Sequence, residues 1–296
     1  MHVPTSNFLT ERAYLNCTKV PCRKWSGVQR YKEKAPKESQ SLSVGGAMNY
    51  GPASKYYDLF ASRDDIDFYK ELAIKQGRRA LELGVGTGRV AIELAKANVT
   101  VWGIDDSKYM LNVAKHKLEK ESVSVRKRVK LRLGDMRNFR LKERFPCVYV
   151  PSATFEHCIT NEDQKRCLTS VYNALEITGI LAFDISQPFN KKPESSWWID
   201  RRELDAEKEV VRTIFSRRNP ATNVVSLNLF FEVYQSGRLK ERYHEYGEAR
   251  ISSKKEVETL LEIVGLKVIE VYGNFDKSKY SPESQRAIFI VGKRAH

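Results

Sequence analysis

The chain has 296 residues, of which 41% are hydrophobic and 30% are charged, a composition that is ordinary for a soluble globular protein. It has no run of eighteen apolar residues, which excludes a membrane-spanning helix, and its first thirty residues lack the continuous apolar core of a secretory signal. The formal net charge is +14, so attraction to a polyanion such as nucleic acid has to be considered.

The positive charge is spread along the chain. Residues 1–47 carry eight Lys or Arg against three Asp or Glu, a net charge of +5, which leaves +9 of the total for the remaining residues. We find no interleaved aromatic and basic residues of the kind that bind single-stranded nucleic acid. The pattern therefore favours a solvated basic surface, and a nucleic-acid partner stays open as the less favoured alternative.

Cysteine usage bears on metal binding and on the redox environment. Five cysteines occur, at positions 17, 22, 147, 158 and 167, with no Cys-x-x-Cys pair and no ligand-like spacing with histidine. We therefore predict no metal site. An odd number of cysteines in a chain this long fits a reducing compartment better than a disulfide framework, so we expect a cytoplasmic protein.

Residues 1–47 show neither a helical nor a strand period and contain scattered Pro, Ser, Lys and Gly. We predict a poorly ordered N-terminal extension, and translation from Met48 rather than Met1 is left open. From residue 48 onward, strands alternate with helices, which predicts a doubly wound, mostly parallel sheet of the α/β class. The predicted strands of this part are 79–83, 100–104, 129–133, 147–151 and 180–185.

Helix signals separate these strands. Ser107 and Thr160 are expected to cap two of the helices, and the second of these is expected to end at Gly179. A further capping box begins at Ser253, and strands 267–272 and 287–292 close the chain.

The region before Ser253 has a different pattern. Three predicted strands, 209–217, 223–234 and 239–250, follow one another without a helix. In the middle strand, apolar residues alternate with mostly polar ones, as in a half-buried antiparallel strand. We therefore predict four regions: the extension 1–47, an α/β core 48–189, an inserted antiparallel sheet 190–250, and the C-terminal part of the core, 251–296.

A glycine-rich loop follows the first strand of the core. Gly84, Gly86 and Gly88 give the spacing G-x-G-x-G, which is neither the dinucleotide fingerprint G-x-G-x-x-G nor a Walker loop. Glu82 precedes the loop, and a carboxylate there would repel a pyrophosphate. It would attract a ligand with an ammonium group and a sulfonium, as in S-adenosylmethionine, and could accept a hydrogen bond from the amino group, directly or through water.

Two further acids end the next two strands. Asp105 lies twenty-one residues after Gly84 and could accept both ribose hydroxyls, although capping of the next helix is an alternative role. Asp135 could accept the adenine amino group with Met136 beside the ring, although a turn position is again an alternative. Three acids at three successive strand ends are a stronger signal than a glycine motif alone.

The segments ELGVGTG, GIDDS, GDM and LEITGILAFDI resemble the cofactor and core motifs of class I S-adenosylmethionine-dependent methyltransferases. The resemblance covers residues 56–293, and the segment YGNFDKSKYSPESQRAIFIVGK is similar to the end of a small-molecule subgroup with an added antiparallel sheet. It implies a seven-stranded sheet whose last strand is antiparallel, with the cofactor over its carboxyl edge. Cys147 departs from the family, which usually has an aspartate there.

The resemblance also implies site residues. Tyr57 resembles the N-terminal tyrosine that covers the cofactor, with a core aromatic as the alternative, and Pro151 at the end of the fourth strand is added to the cofactor site. His157 follows that strand, where substrate-facing residues lie in this fold, and is the candidate catalytic base if the acceptor is a hydroxyl. A packing role is the alternative for His157. His244, on the last inserted strand, is a weaker candidate.

The resulting functional prediction is transfer of a methyl group from S-adenosylmethionine to a small-molecule N or O nucleophile. Two alternatives stay open: an RNA or protein methyltransferase, and a non-catalytic cofactor-binding partner subunit. The inserted sheet is expected to form a cap over the cleft or the surface of a homodimer.

Overall fold

Eleven β-strands form two sheets within residues 50–187 and 194–294, the part of the chain that the computed structural model describes. In chain order the strands are β1 (Arg79–Leu83), β2 (Thr100–Asp105), β3 (Val129–Leu133), β4 (Phe145–Val150), β5 (Leu175–Ser186), β6 (Ser195–Glu203), β7 (Lys208–Arg218), β8 (Val224–Gln235), β9 (Arg238–Arg250), β10 (Leu266–Tyr272) and β11 (Arg286–Lys293). The predicted extension 1–47 and the expected start of the insertion at residue 190 lie outside the described residues.

The larger sheet has the order β10-β11-β5-β4-β1-β2-β3. Strand β11 is antiparallel to both of its neighbours, whereas the pairs from β5 through to β3 are parallel. The predicted seven-stranded, mostly parallel sheet is therefore confirmed. The chain moves from β1 outward to β3 and then returns to β4 on the other side of β1. This reversal between β1 and β4 is a switch point, where open α/β sheets bind their ligands.

Helices connect the strands of this sheet. Within the described residues, the α-helices are α1 (Tyr57–Phe60), α2 (Ile66–Lys75), α3 (Arg89–Lys96), α4 (Lys108–Glu119), α5 (Val123–Arg128), α6 (Asn161–Ala174) and α7 (Lys254–Ile263). Short 3-10 helices occupy Pro52–Tyr56 and Thr154–His157. The predicted caps are confirmed: Ser107 Oγ accepts from the Met110 amide at 3.2 Å, and Ser253 forms a capping box with Glu256.

The sheet is buried on both faces. Tyr69 of α2 and Leu94 of α3 lie in the core on one face, and Leu168 of α6 and Leu261 of α7 lie in the core on the other. Cys147 on β4 is fully buried in the first of these cores. Burial raises the pKa of its thiol to about 12, so it packs as a small apolar side chain where the family usually has an acid.

The prediction that a helix ends at Gly179 is wrong. Helix α6 ends at Ala174, and Gly179 lies inside β5. A Cβ atom at this position would come within 2.8 Å of the Phe145 carbonyl oxygen. The glycine therefore permits the close approach of β4 and β5 and does not cap a helix.

The second sheet is antiparallel, with the order β6-β7-β8-β9. It has four strands where we predicted three, because β6 pairs with β7 from Ser195 to Glu203. The sequence of β6, SSWWIDRRE, shows no apolar alternation, and all nine of its residues are exposed or only partly buried. The strand forms through pairing with its neighbour and has no local signal of its own.

The predicted alternation of apolar and mostly polar residues along β8 is confirmed. Leu229, Phe231 and Val233 are buried and pack against the N-terminal segment that contains Ala53 and Tyr56. The outer face of the sheet exposes large apolar side chains, namely Trp197, Ile199, Phe215 and Tyr246. Pairing of two subunits through the inserted sheet stays a prediction.

Candidate functional site

The glycine-rich loop joins β1 to α3 and is held against the end of β2. The amides of Gly84 and Val85 both donate to the Ile104 carbonyl, at 2.8 and 3.1 Å. Gly84 has φ +68°, and a Cβ atom there would come within 2.3 Å of Thr154 Cγ2. Gly86 and Gly88 also have positive φ angles. A side chain at Gly84 would clash with Thr154, and the positive φ angles favour glycine at all three positions, so the loop is bare backbone.

Asp105 connects this loop to the next helix. Its two carboxylate oxygens accept hydrogen bonds from the Gly86 amide at 2.7 Å and from the Ser107 amide at 2.9 Å. Ser107, and not Asp105, caps α4. Each carboxylate oxygen has a second lone pair, so Asp105 can also accept two ribose hydroxyls. Burial raises the pKa of Asp105 to about 6.

Glu82 lies on β1 and is almost completely buried, with 1% of its surface exposed. It accepts a hydrogen bond of 2.8 Å from the Tyr149 hydroxyl. Burial raises the pKa of Glu82 to about 8, although the Tyr149 hydrogen bond and the nearby Arg89 lower it. A cationic ligand group close to this buried carboxyl would lower its pKa and favour the ionised form.

Asp135 follows β3 and is the third predicted acid. Arg137 pairs with it at 2.7 Å and also lies 3.6 Å from Asp163. Partial burial raises the pKa of Asp135, but the hydrogen bonds from Arg137 outweigh burial and hold the pKa below its ordinary value. Met136 packs against the core beside it. The three acids thus lie on or just after the adjacent strands β1, β2 and β3.

Pro151 directly follows β4 and begins a strained turn. Ser152 and Ala153 both have positive φ angles, 60° and 54°, in the region that favours glycine. The Ala153 amide donates to Asp184 Oδ2 at 3.0 Å, and the Thr154 hydroxyl donates to the Pro151 carbonyl at 2.7 Å. Strain held by such contacts is typical of ligand sites.

A cavity of about 250 Å³ opens beside this turn. It lies at the carboxyl ends of β4 and β5, and its lining includes the predicted cofactor residue Tyr57. The other lining residues are Ala61, Ser62, Asp64, Asp65, Arg89, Ser152, Ala153, Asp184, Ser186, Gln285 and Arg286.

The charged residues of the cavity were not predicted. Asp65 and Arg89 form a buried two-pronged ion pair at 2.5 and 2.6 Å. Asp184 accepts from the Tyr69 hydroxyl at 3.1 Å, and burial raises its pKa to about 6. One signal was present in the sequence, because Asp184 interrupts the apolar run ILAFDI and a buried acid in a strand is unusual.

The structure places the two histidines away from this lining. His157 Nδ1 is 3.1 Å from the Glu248 carbonyl oxygen, and burial lowers the pKa of His157. His244 stacks on Phe230 and lies 2.9 Å from Asn228 Oδ1, on the outer side of the inserted sheet. The cavity lining therefore contains neither of the two candidate bases.

The described residues contain neither a candidate metal site nor a candidate membrane-spanning helix. No group of three or more His, Cys, Asp or Glu side chains within 50–187 and 194–294 could hold a metal ion. In the same ranges, no helix has both the length and the apolar character needed to cross a membrane.

Comparison with known proteins agrees with this geometry. Residues 80–179 match a family described as a methyltransferase domain. The putative methyltransferase YqeM of Bacillus subtilis is 26% identical over 82% of this chain and 96% of its own length.

Two solved structures share the fold. An S-adenosylmethionine-dependent methyltransferase from Clostridium acetobutylicum has a TM-score of 0.69 and 20% identity, over 82% of this chain and 96% of that one. The sugar N-methyltransferase KedS8 from a Streptoalloteichus species has a TM-score of 0.65 and 16% identity, over 89% of this chain and all of that one.

The strand order, the glycine loop and these matches define the class of protein. Residues 80–179 carry a methyltransferase domain, and the described residues have the fold of S-adenosylmethionine-dependent methyltransferases. S-adenosylmethionine fits the described residues on two observations: a loop of three glycines with positive φ angles, in which a Cβ atom at Gly84 would clash with Thr154, and the buried carboxyl of Glu82 just before the loop.

The role of Asp105 can be tested by binding. We expect Asp105→Ala to weaken S-adenosylmethionine binding by roughly 1–3 kcal/mol, because the ribose hydroxyls lose their acceptor. Calorimetry should show this loss, and should show no comparable binding of NAD to the unmodified protein. Unchanged affinity in the variant, or tight NAD binding, would place the cofactor elsewhere.

Proposed function

We propose that the protein transfers the methyl group of S-adenosylmethionine to a nitrogen or oxygen nucleophile of a small molecule bound in the cavity beside Ser152. The position of this cavity supports the proposal. It lies over β4 and β5, and β4 is the immediate neighbour of β1, from which the glycine loop extends. The predicted ribose and adenine contacts, Asp105 and Asp135, lie on the other side of β1.

Each predicted cofactor residue then has a distinct role. Asp135 and Met136 would hold the adenine, Asp105 the ribose, and Glu82 the amino group, while Gly84, Gly86 and Gly88 leave room for the backbone to approach. Tyr57 and Pro151 would border the site on the side of the cavity. When bound, S-adenosylmethionine supplies an electrophilic methyl group on a positively charged sulfur.

The chain itself mainly has to align the acceptor with the methyl group and exclude water. Such alignment favours in-line displacement, in which the nucleophile forms the new bond as the carbon–sulfur bond breaks and S-adenosylhomocysteine leaves. An unprotonated amine needs no base for this step. The Asp65–Arg89 pair and the strained turn at Ser152 and Ala153 give the cavity a fixed wall.

His157 remains our candidate base for a hydroxyl acceptor. Its lowered pKa keeps the imidazole neutral at pH 7. With Nδ1–H donating to the Glu248 carbonyl, Nε2 is the nitrogen that can accept a proton. Because His157 does not line the cavity, we expect this role only if the bound acceptor extends towards it.

An acceptor screen tests the proposal. The full chain is incubated with S-adenosylmethionine and a panel of small amines and hydroxy compounds, and S-adenosylhomocysteine is measured. We expect turnover of at least one compound and its loss in Asp105→Ala. For a hydroxyl acceptor that extends to His157, His157→Gln should lower turnover by about 10²-fold or more, and it should spare amines, because only hydroxyl acceptors need a base.

Other outcomes identify the alternatives. Cofactor binding without any product would favour a non-catalytic partner subunit. Salt-dependent RNA binding, with methylation of RNA and of no small molecule, would favour a nucleic-acid substrate.

A further inference from the structure

One charged side chain of the cavity has unused hydrogen-bond donors. Arg286 begins β11 and lines the cavity with one third of its side chain exposed. Its guanidinium lies 3.8 Å from Asp184 Oδ2, which is too far for a hydrogen bond, and 4.7 Å from the centre of the Phe275 ring. Among the described residues it has no side-chain hydrogen bond, although a guanidinium has five N–H donors.

The other charges of the cavity already have partners. Arg89 and Asp65 satisfy each other, and Arg89 also donates to Ser152 Oγ at 2.8 Å. Asp184 accepts from the Tyr69 hydroxyl and from a backbone amide. Asp64 accepts from the Ser62 hydroxyl at 2.6 Å. Among the charged side chains of this lining, Arg286 is the one for which the described residues offer no hydrogen-bond partner.

The expected position of the cofactor is separated from Arg286 by two strands. Its amino-acid part is expected over Glu82 and the glycine loop, at β1. Strand β11 is separated from β1 by β5 and β4. Three strand spacings of about 4.8 Å place the two strands about 14 Å apart. The guanidinium therefore faces the acceptor side of the cavity.

We propose that Arg286 binds a carboxylate of the methyl acceptor, so that the substrate is an amino or hydroxy acid and not a neutral amine or alcohol. This inference rests on the proposed function. A planar guanidinium fork matches a carboxylate with two parallel hydrogen bonds. A singly charged carboxylate suits the cavity better than a doubly charged phosphate, because three carboxylates and two guanidiniums share the lining.

The test uses matched acids and amides on the full chain saturated with S-adenosylhomocysteine. The pairs are glycine and glycinamide, 4-aminobutanoate and its amide, 4-aminobenzoate and its amide, and 4-hydroxyphenylacetate and its amide, with inorganic phosphate as a further probe. Calorimetry gives each dissociation constant. We expect at least one acid to bind about tenfold more tightly than its amide, since only the acid can accept from both arms of the fork.

Three variants separate Arg286 from general charge effects. Arg286→Gln should reduce the ratio between acid and amide to below about threefold, and Arg286→Lys should retain part of it, because one ammonium replaces the fork. Arg238→Gln removes a charge from an exposed hairpin of the inserted sheet and should leave the ratio unchanged. All three variants should bind S-adenosylhomocysteine as the unmodified chain does.

Several results would overturn the proposal. These are ratios near one for every pair in the unmodified chain, a ratio that survives in Arg286→Gln, and phosphate binding more tightly than every acid. A loss of S-adenosylhomocysteine affinity of more than about threefold in Arg286→Gln would assign the guanidinium to the cofactor's own carboxylate. If the unmodified chain fails to bind S-adenosylhomocysteine, the proposed function fails as well. In the other cases the proposed function stands.

Discussion

Replacing Asp65 with alanine is expected to lower the free energy of unfolding by about 3–5 kcal/mol, because the change leaves the Arg89 charge buried without its partner. Only 7% of the Arg89 side chain and 4% of the Asp65 side chain are exposed, so we expect water from the cavity to replace the lost contact only in part. Urea titration of the full chain, with and without the variant, measures this difference.

A double variant provides the control. In Asp65→Leu with Arg89→Met, apolar side chains replace both charges, and stability should recover to within about 1–2 kcal/mol of the unmodified chain. A loss of less than about 1 kcal/mol in Asp65→Ala alone would show that the pair is not buried in solution. The double variant should still have an altered cavity wall, because it also loses the hydrogen bond from Arg89 to Ser152.

Cofactor binding at pH 7 is expected to release close to one proton from Glu82. A carboxyl with a pKa of about 8 is protonated in roughly nine of ten molecules at this pH, whereas the bound ammonium group requires the ionised form. Asp105 and Asp184, with pKa values of about 6, are already mostly ionised and contribute little. Calorimetry in two buffers with different ionisation enthalpies counts the protons released.

A variant of Glu82 and a variant of its hydrogen-bond partner Tyr149 are expected to give opposite results. Glu82→Gln cannot ionise, so proton release should disappear and affinity should fall by roughly 10- to 150-fold, the worth of a hydrogen bond to a charged group. Tyr149→Phe removes a contact that lowers the pKa of Glu82, so proton release should persist. Equal proton release in Glu82→Gln and in the unmodified chain would mean that another group titrates.

The same pKa has a consequence for folding without cofactor. In the unfolded chain the Glu82 carboxyl ionises near pH 4.5, whereas in the folded chain it stays protonated up to about pH 8. Between these values the folded state holds more protons, so the free energy of unfolding falls as pH rises. Saturation with S-adenosylmethionine should reduce this slope.

Local features of the fold could be predicted from the sequence. Strands β1 and β3 have the predicted bounds, and the caps at Ser107 and Ser253 form as expected. These features depend on residues that lie within a few positions of one another. The positions of the glycine loop and of the three acids could be predicted for the same reason, since each lies on or shortly after its own strand, and their role in cofactor binding stays a prediction.

The cavity could not be predicted, because its residues come from distant parts of the chain. Asp65 precedes α2, Arg89 begins α3, Asp184 lies in β5 and Arg286 begins β11. Only the packing of these elements decides that Asp65 faces Arg89 and that Arg286 approaches Asp184. Strand β6 was missed for a related reason, as it depends on its pairing with β7.

The N-terminal segment joins the two sheets through neighbouring tyrosines. Tyr56 packs against Tyr243 of the inserted sheet, with ring centroids 6.1 Å apart, while Tyr57 lines the cavity. Glu245 of the same sheet fixes the segment by accepting from the amides of Gly51 and Ala53. We therefore expect mutations in the inserted sheet to alter the cavity indirectly, through Tyr57, while Glu82, Asp105 and Asp135 keep their places. Under the proposed function, evolution could thus exchange one acceptor for another without rebuilding the residues proposed to hold the methyl donor.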